Sequence, residues 1–371
     1  MVSLETSFMG LVLKNPVIAA SGPWCGDAAG IQAAIDAGAG AVITETIVQE
    51  GSHRCAPRIY YRDGKVMSVS LYGNCSLEQW ESEMEKIHKG NCKLIAGIRG
   101  GTPSELAYIA RKVERMGVDA VQLDLYAPIG PMIFGLNDDA TQLTDHIRAV
   151  KSSVSIPVLV RLPHYVADNA RFMRALEHVH ADGVTMCESI RGIIGVDIEN
   201  AVPQMPTYGA YSGRHLLPVT LAAIAALSQV SDLTISAAGG LADAHNAIEA
   251  IMLGATTIQL GSALMLHGYD RIREVVDGLA QWMEQHGYPD IASMRGCALS
   301  GLYSYEELDS LPHHTVISPG PECQGCGICR KVCLHGAITS DDAGTPLLCN
   351  DRCEGCGLCS GVCPHSLIHI E

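Results

Sequence analysis

The chain has 371 residues, 47% of them hydrophobic, and a formal net charge of −15. The acidic balance disfavours nucleic acid and anionic membrane surfaces as partners. No apolar run reaches the roughly 20 residues needed to span a bilayer, and the opening MVSLETSFMG lacks the basic and apolar parts of a signal peptide.

From the N-terminus onward, apolar β-rich runs recur at 16–21, 40–46, 94–99, 120–126, 158–163, 183–189, 233–240 and 257–263. Amphipathic stretches at 104–116, 168–180, 242–253 and 269–286 lie between them. Near-continuous hydrophobic runs suit parallel strands covered on both faces. Eight such strands alternating with helices predict an α/β fold, a (β/α)8 TIM barrel over 1–305. An open doubly wound sheet is the structural alternative. The long segment 48–73 predicts a hairpin and loop over the barrel mouth. Residues 306–318 are polar and read as a linker. No G-x-G-x-x-G lies between a strand and a helix, so a second nucleotide-binding domain is not expected.

Barrel active sites sit at the C-terminal ends of the strands. Here strand two ends in Glu45, strand four in Asp124, strand five in Arg161 and strand six in Glu188. Four charged residues after apolar runs converge on one mouth, either as an ion-pair network or as a ligand site. Strands seven and eight end in Gly239-Gly240 and Gly261-Ser262. Glycines there let backbone N–H groups approach an anion, and a phosphate site after strands seven and eight is a recurrent barrel feature.

The last segment, 319–371, predicts a small ferredoxin-like domain. Cys323, Cys326, Cys329 and Cys333 read C-x2-C-x2-C-x3-C, and Cys353, Cys356, Cys359 and Cys363 repeat the run, with Pro364 after the second. Leu334 stands where a proline usually closes the first. This spacing binds two [4Fe–4S] clusters, the fourth cysteine of each run crossing to the other cluster. One cluster would take Cys323, Cys326, Cys329 and Cys363, the other Cys353, Cys356, Cys359 and Cys333. Zinc sites favour separated C-x2-C pairs, and disulfides favour small secreted scaffolds. Fifteen cysteines therefore imply a reducing, cytoplasmic setting. A phosphate site joined to an electron-transfer domain suggests FMN, which exchanges electrons in pairs or singly.

The segments GLVLKNPVIAASGP from Gly10, GAGAVITET from Gly38, VLVRLPHY from Val158 and AGGLADAHNAIEAIMLGATTIQLGSAL from Ala238 carry a resemblance to the class 1 dihydroorotate dehydrogenases. With its appended clusters, the whole chain resembles the pyrimidine-reducing part of dihydropyrimidine dehydrogenase. The resemblance implies an FMN barrel in which Ala20, Ser21 and Gly22 lie against the flavin and Thr44 and Thr46 flank a position usually held by lysine. Arg161 matches the lysine facing the flavin N1 side. Ser212 and Gly213 match a glycine pair near the ribityl phosphate. Gly239, Gly240, Gly261 and Ser262 match the phosphate cradle. By the same analogy a homodimer is expected.

The substrate side departs from the family. Its L-N-L-S-C-P-N segment reads Leu123-Asp124-Leu125-Tyr126-Ala127-Pro128-Ile129, so Ala127 stands where the catalytic cysteine is expected. The pyrimidine-gripping asparagines become Asp124, Ile129, Ser68 and Glu188, and the lysine between the threonines becomes Glu45. The expected activity is hydrogen addition or removal across a CH–CH bond of a small polar molecule other than dihydroorotate, uracil or thymine. Tyr126 is the first candidate for the missing proton donor, followed by Asp124, Glu188 and His164. The acidic mouth hints at an amine or amidine on the substrate. With no NAD(P)H domain, the chain needs a ferredoxin or an electron-donor flavoprotein subunit. A non-catalytic electron-transfer subunit is the alternative.

Overall fold

A computed structural model of the chain describes residues 2–51, 56–126, 140–166, 170–308, 315–318 and 320–370. It divides into two compact units, Met1–Ser300 and Gly301–Glu371.

The first unit is a closed barrel of eight parallel strands: β1 (Val17–Ala19), β2 (Ala41–Ile43), β3 (Lys93–Ile98), β4 (Ala120–Asp124), β5 (Val158–Leu162), β6 (Gly183–Met186), β7 (Thr234–Ala238) and β8 (Thr257–Leu260). Each strand hydrogen-bonds its sequence neighbours, and β8 closes onto β1 through Leu260 opposite Ala19. These are eight of the predicted apolar runs, trimmed at their ends. The barrel unit ends at Ser300, ahead of the boundary expected at 305.

Helices cover the strands: α1 (Ala28–Asp36), α2 (Leu77–Met84), α3 (Pro103–Arg115), α4 (Ala140–Lys151), α5 (Ala170–His178), α6 (Leu217–Val230), α7 (Ala244–Met252), α8 (Ser262–His267) and α9 (Asp270–His286). Their starts are set by local chemistry. Ser76 and Gln79 form a reciprocal capping box on α2. Thr102 caps α3, Pro103 opens it, and Lys112 and Arg115 close it against the helix dipole. Asp243 caps α7 by accepting from Asn246 N.

The barrel interior is layered by the period-two alternation of strand side chains. At the bottom, Phe8, Met9 and Leu13 from the N-terminal hairpin pack with Ile18, Ile43, Ile95, Ala120 and Leu159. Two residues further along β4 stands Gln122, and along β5 Arg161. A buried polar layer follows. Gln122 Nε2 donates to Asp124 Oδ1 at 3.0 Å, Thr185 Oγ1 donates to Gln122 Oε1 at 2.8 Å, and Gln259 Nε2 donates to Thr185 Oγ1 and Ser236 Oγ at 2.9 Å each. Buried polar groups persist only when partnered, and this chain of bonds partners them.

The predicted hairpin over 48–73 is present as Ile59–Arg62 and Lys65–Ser68. Asp63 and Gly64 turn it with left-handed φ of 53° and 76°, as a two-residue hairpin turn requires. It belongs to a four-stranded antiparallel sheet completed by Ile190–Gly192 and Gly209–Ser212. That sheet was not foreseen.

The second unit is built from two similar halves. Helices α10 (Ile328–Val332) and α11 (Leu358–Val362) each follow a left-handed glycine, Gly327 and Gly357. Strand Thr315–Ile317 pairs with Ile368–Ile370, and Ile338–Ser340 with Pro346–Leu348. Ile338, Cys359 and Ile368 form its small core. Part of the expected linker, 309–314, lies outside the described residues.

Candidate active site

The strand ends of the barrel open into a cavity of about 180 Å3. Its wall includes Ala20, Ser21 and Gly22 after β1, Glu45 and Thr46 after β2, Asp124 and Tyr126 at β4, and Arg161 on β5. Glu188 follows β6, Ser212 comes from the antiparallel sheet, and Gly239, Gly240, Gly261 and Ser262 follow β7 and β8. Thr44 does not line it; its hydroxyl accepts from Gly97 N at 3.1 Å inside the barrel. Gly213 is also absent from the lining, turning the chain instead with φ +99°. His164 sits in a short 3-10 turn beyond β5, edge-on to Tyr165, and does not line the cavity. Ala127 and Ile129 lie outside the described residues.

On one side of the cavity is a concentrated ion-pair cluster. Arg161 Nη2 donates to Glu188 Oε1 at 2.7 Å. Its Nε lies 2.6 Å from Glu188 Oε2, close enough for charge attraction although the angle is too bent for a hydrogen bond. Asp124 Oδ1 stands 3.6 Å from Arg161 Nη1, and Asp124 Oδ2 accepts from Thr46 Oγ1 at 2.6 Å. Ser189 donates its N–H and hydroxyl to Glu188 Oε1, both at 2.8 Å. Arg99 Nη1 donates to the Asp124 carbonyl at 2.9 Å and lies over the Tyr72 ring.

Burial pushes the Glu188 carboxyl above its ordinary range, and the Arg161 guanidinium offsets part of that rise. Burial alone would lower Arg161, but Glu188 and Asp124 outweigh it and hold the guanidinium charged. The Tyr126 phenol is raised by burial first and by Glu188 second, with Arg191 opposing, so it keeps its proton at neutral pH. Tyr72, also in the wall, is raised mainly by burial.

After β7 and β8 the wall offers a nest of backbone donors. Among the described residues no protein acceptor meets the N–H groups of Gly239, Gly240, Gly261 or Ser262. Gly239 and Gly240 have φ of +102° and +81°. A Cβ on Gly240 would lie 2.3 Å from Leu217 N, and one on Gly239 would lie 2.7 Å from Thr220 Oγ1. Glycine is required there both by conformation and by space. Unpartnered N–H groups at a cavity wall suit an anion such as phosphate.

Some wall residues were not anticipated: Trp24, Ser70, Leu71, Tyr72, Cys187 and Gln259 among them. Gln259 had a signal, as a long polar side chain inside the run Thr257–Leu260. Ser70, Leu71 and Tyr72 follow the hairpin, and their position depends on its pairing with distant strands.

In the second unit the cysteines line two separate cavities. One is lined by Cys323, Cys326, Cys329 and Cys363, the other by Cys333, Cys353, Cys356 and Cys359. The fourth cysteine of each run faces the opposite cavity. Gly325 and Gly355 have φ of +62° and +63°, curling each run around its space. Ala337 N donates to Cys333 Sγ at 3.3 Å and Leu367 N to Cys363 Sγ at 3.5 Å. Burial would raise Cys333, but the backbone N–H groups of Ala337, Ile338, His335 and Gly336 outweigh it and hold the thiol below its usual value. Among the described residues no three His, Cys, Asp or Glu side chains converge as for a single metal ion; the thiols instead surround a larger space.

A closed parallel barrel with unpartnered N–H groups after β7 and β8 and ionisable groups at the ends of β2, β4, β5 and β6 has the layout of a (β/α)8 enzyme. Residues 3–283 match the dihydroorotate dehydrogenase family, and the chain belongs to that family, a group of flavin-dependent oxidoreductases acting on CH–CH bonds. It is 30% identical over 306 residues to a dihydroorotate dehydrogenase B (NAD(+)) catalytic subunit of Pyrococcus furiosus, covering 80% of this chain and 99% of the relative. The corresponding subunit of Methanosarcina mazei is 31% identical over 304 residues, covering 80% and 95%. That of Methanocaldococcus jannaschii is 28% identical over 292 residues, covering 76% and 94%. The family match ends before the cysteine-rich unit begins. Among the described residues no helix is long and apolar enough to cross a membrane.

Proposed function

We propose that the chain is an FMN- and iron–sulfur-dependent oxidoreductase that adds or removes hydrogen across a CH–CH bond of a small polar molecule other than dihydroorotate. The observation that carries this reading is the placement of an unpartnered N–H nest and a buried proton-bearing cluster in one cavity of a family barrel. Bound there, FMN supplies hydride transfer to or from one carbon of the substrate.

The chain's own residues divide the remaining work. The N–H groups of Gly239, Gly240, Gly261 and Ser262 would hold the phosphate, and Ala20, Ser21 and Gly22 the flavin's edge. Arg161 offers a fixed cation where the family has lysine. Tyr126 holds a proton at its phenol for the second carbon, a role that a protonated, cavity-facing group can fill when cysteine is absent. Glu188 and Asp124 orient Arg161 and set the charge around the substrate.

The substrate departs from that of the named relatives because the residues that would grip a pyrimidine differ. Ser68, Asp124 and Glu188 replace asparagines, Glu45 replaces lysine, and Ala127 replaces the catalytic residue. The eight cysteines lining the two cavities of the second unit would hold two [4Fe–4S] clusters, which pass single electrons. The relatives are named as catalytic subunits of an NAD(+) enzyme. By that analogy a flavoprotein subunit, or a ferredoxin, would exchange electrons with this chain.

Anaerobic purification tests the proposal. The protein should release FMN on denaturation, contain iron and sulfide, bleach with dithionite and regain flavin colour with the correct acceptor. Iron and sulfide without any released flavin, despite adequate supply during expression, would refute it.

A further inference from the structure

We propose that the substrate site selects a neutral or cationic, N–H-bearing molecule and rejects a carboxylate, because its cavity-lining cation is already claimed by two protein carboxylates. This inference rests on the oxidoreductase reading and names the substrate class of that same cavity.

A carboxylate ligand needs a cation or several free donors when it leaves water. Among the described residues Arg161 is the cation in the cavity wall. Its guanidinium lies along both oxygens of Glu188, at 2.7 and 2.6 Å, and Asp124 stands 3.6 Å from its third nitrogen. Its charge is therefore already engaged by two protein carboxylates. Arg99 and Arg191 do not line the cavity; Arg99 donates to the Asp124 carbonyl, and Arg191 lies 4.0 Å over the Tyr208 ring.

The two carboxylates cannot both be neutralised by one guanidinium. When both are ionised, the cluster carries an excess of one negative charge, held in a partly buried setting where water screens it weakly. Asp124 is fixed in place from below by Gln122 and from the side by Thr46, so it cannot swing away to free Arg161. Glu45 also lines the wall and has contacts of its own; it can only add to the negative field. With the N–H nest taken by the cofactor phosphate, an incoming amine, amidine or amide N–H meets attraction, and an incoming carboxylate meets repulsion with no unclaimed cation among the described wall residues to offset it.

Benzamidine, benzamide and benzoate form a matched series of nearly one shape and three charges. Titration of each into the oxidised flavin-loaded protein at pH 8, followed through the flavin absorbance, separates charge from size. Benzamidine should bind at least about tenfold tighter than benzoate, with benzamide between them, as one unit charge a few ångströms away would produce. Asp124→Asn should narrow the interval several-fold. Benzoate binding as tightly as benzamidine, three indistinguishable responses, or an interval unchanged by Asp124→Asn would overturn the inference. Flavin content and dithionite bleaching, measured on the same preparation, report separately on the oxidoreductase reading.

Discussion

Removing Arg161 leaves two carboxylates facing each other across a partly dry cavity. Glu188 and Asp124 side chains are 7% and 5% exposed, while Arg161 is 21% exposed through the cavity. Stripping one partner from a buried ion pair costs about 3–5 kcal/mol. The cavity opening and the two Ser189 donors that remain on Glu188 place Arg161→Ala near the lower end, at about 3 kcal/mol. For a barrel of this size that is a fall of about 5 °C in Tm. The loss should depend on pH. Burial already raises Glu188, and Arg161 opposes the rise, so the variant raises it further. A carboxyl with a folded-state pKa above its unfolded value stabilises the fold below the unfolded pKa. That contribution disappears as pH rises through the folded pKa. The variant's deficit should therefore widen from acidic pH toward pH 8. Scanning calorimetry of both proteins across that interval is the assay. A deficit under about 1 kcal/mol, or one that stays constant with pH, would contradict the assigned burial and pairing.

Further outcomes follow from the same geometry. Arg161→Lys should keep flavin occupancy near that of the parent while Arg161→Ala lowers occupancy or shifts the flavin potential downward, as seen by released FMN and by dye-equilibrated reduction. Tyr126→Phe should slow turnover by about 10²–10⁴-fold if the phenol is the proton donor, with dithionite bleaching intact; unchanged turnover places the acid elsewhere. Gly240→Ala puts a Cβ 2.3 Å from Leu217 N and should reduce retained FMN several-fold, measured against protein concentration. The crossed cysteine cavities predict a pairing of defects: Cys323→Ser with Cys363→Ser should cost about half the iron, and Cys323→Ser with Cys353→Ser nearly all of it. Equal iron in both double variants would refute the crossed arrangement.

Much of the barrel was legible because its strands are short apolar runs separated by helices that carry their own caps. The charged strand ends were legible for the same reason: Glu45, Asp124, Arg161 and Glu188 interrupt hydrophobic runs where the chain leaves the core. Strand limits were less clear. The second run was expected to continue through Thr46, yet the strand ends at Ile43; Thr44 N still donates to the Ile95 carbonyl, but Glu45 N turns away to the Cys25 carbonyl. The wall residues Ser70, Leu71 and Tyr72 were missed because the sheet that positions them joins segments separated by more than a hundred residues. Pairing at that separation leaves no local pattern. His164 looked suitable from its place after β5, but the chain turns there into a 3-10 segment that carries it away from the cavity.

The antiparallel sheet beside the cavity has an evolutionary consequence. Ser68 and Ala210 are direct cross-strand partners, and both face the ligand space. Side chains directly opposite each other on one face lie about 4.5–5.5 Å apart at Cβ, so a bulkier residue at either position presses on the other as well as on the ligand space. Drift toward a new substrate on this scaffold must therefore proceed by correlated exchanges, with distant stretches of the gene changing in step.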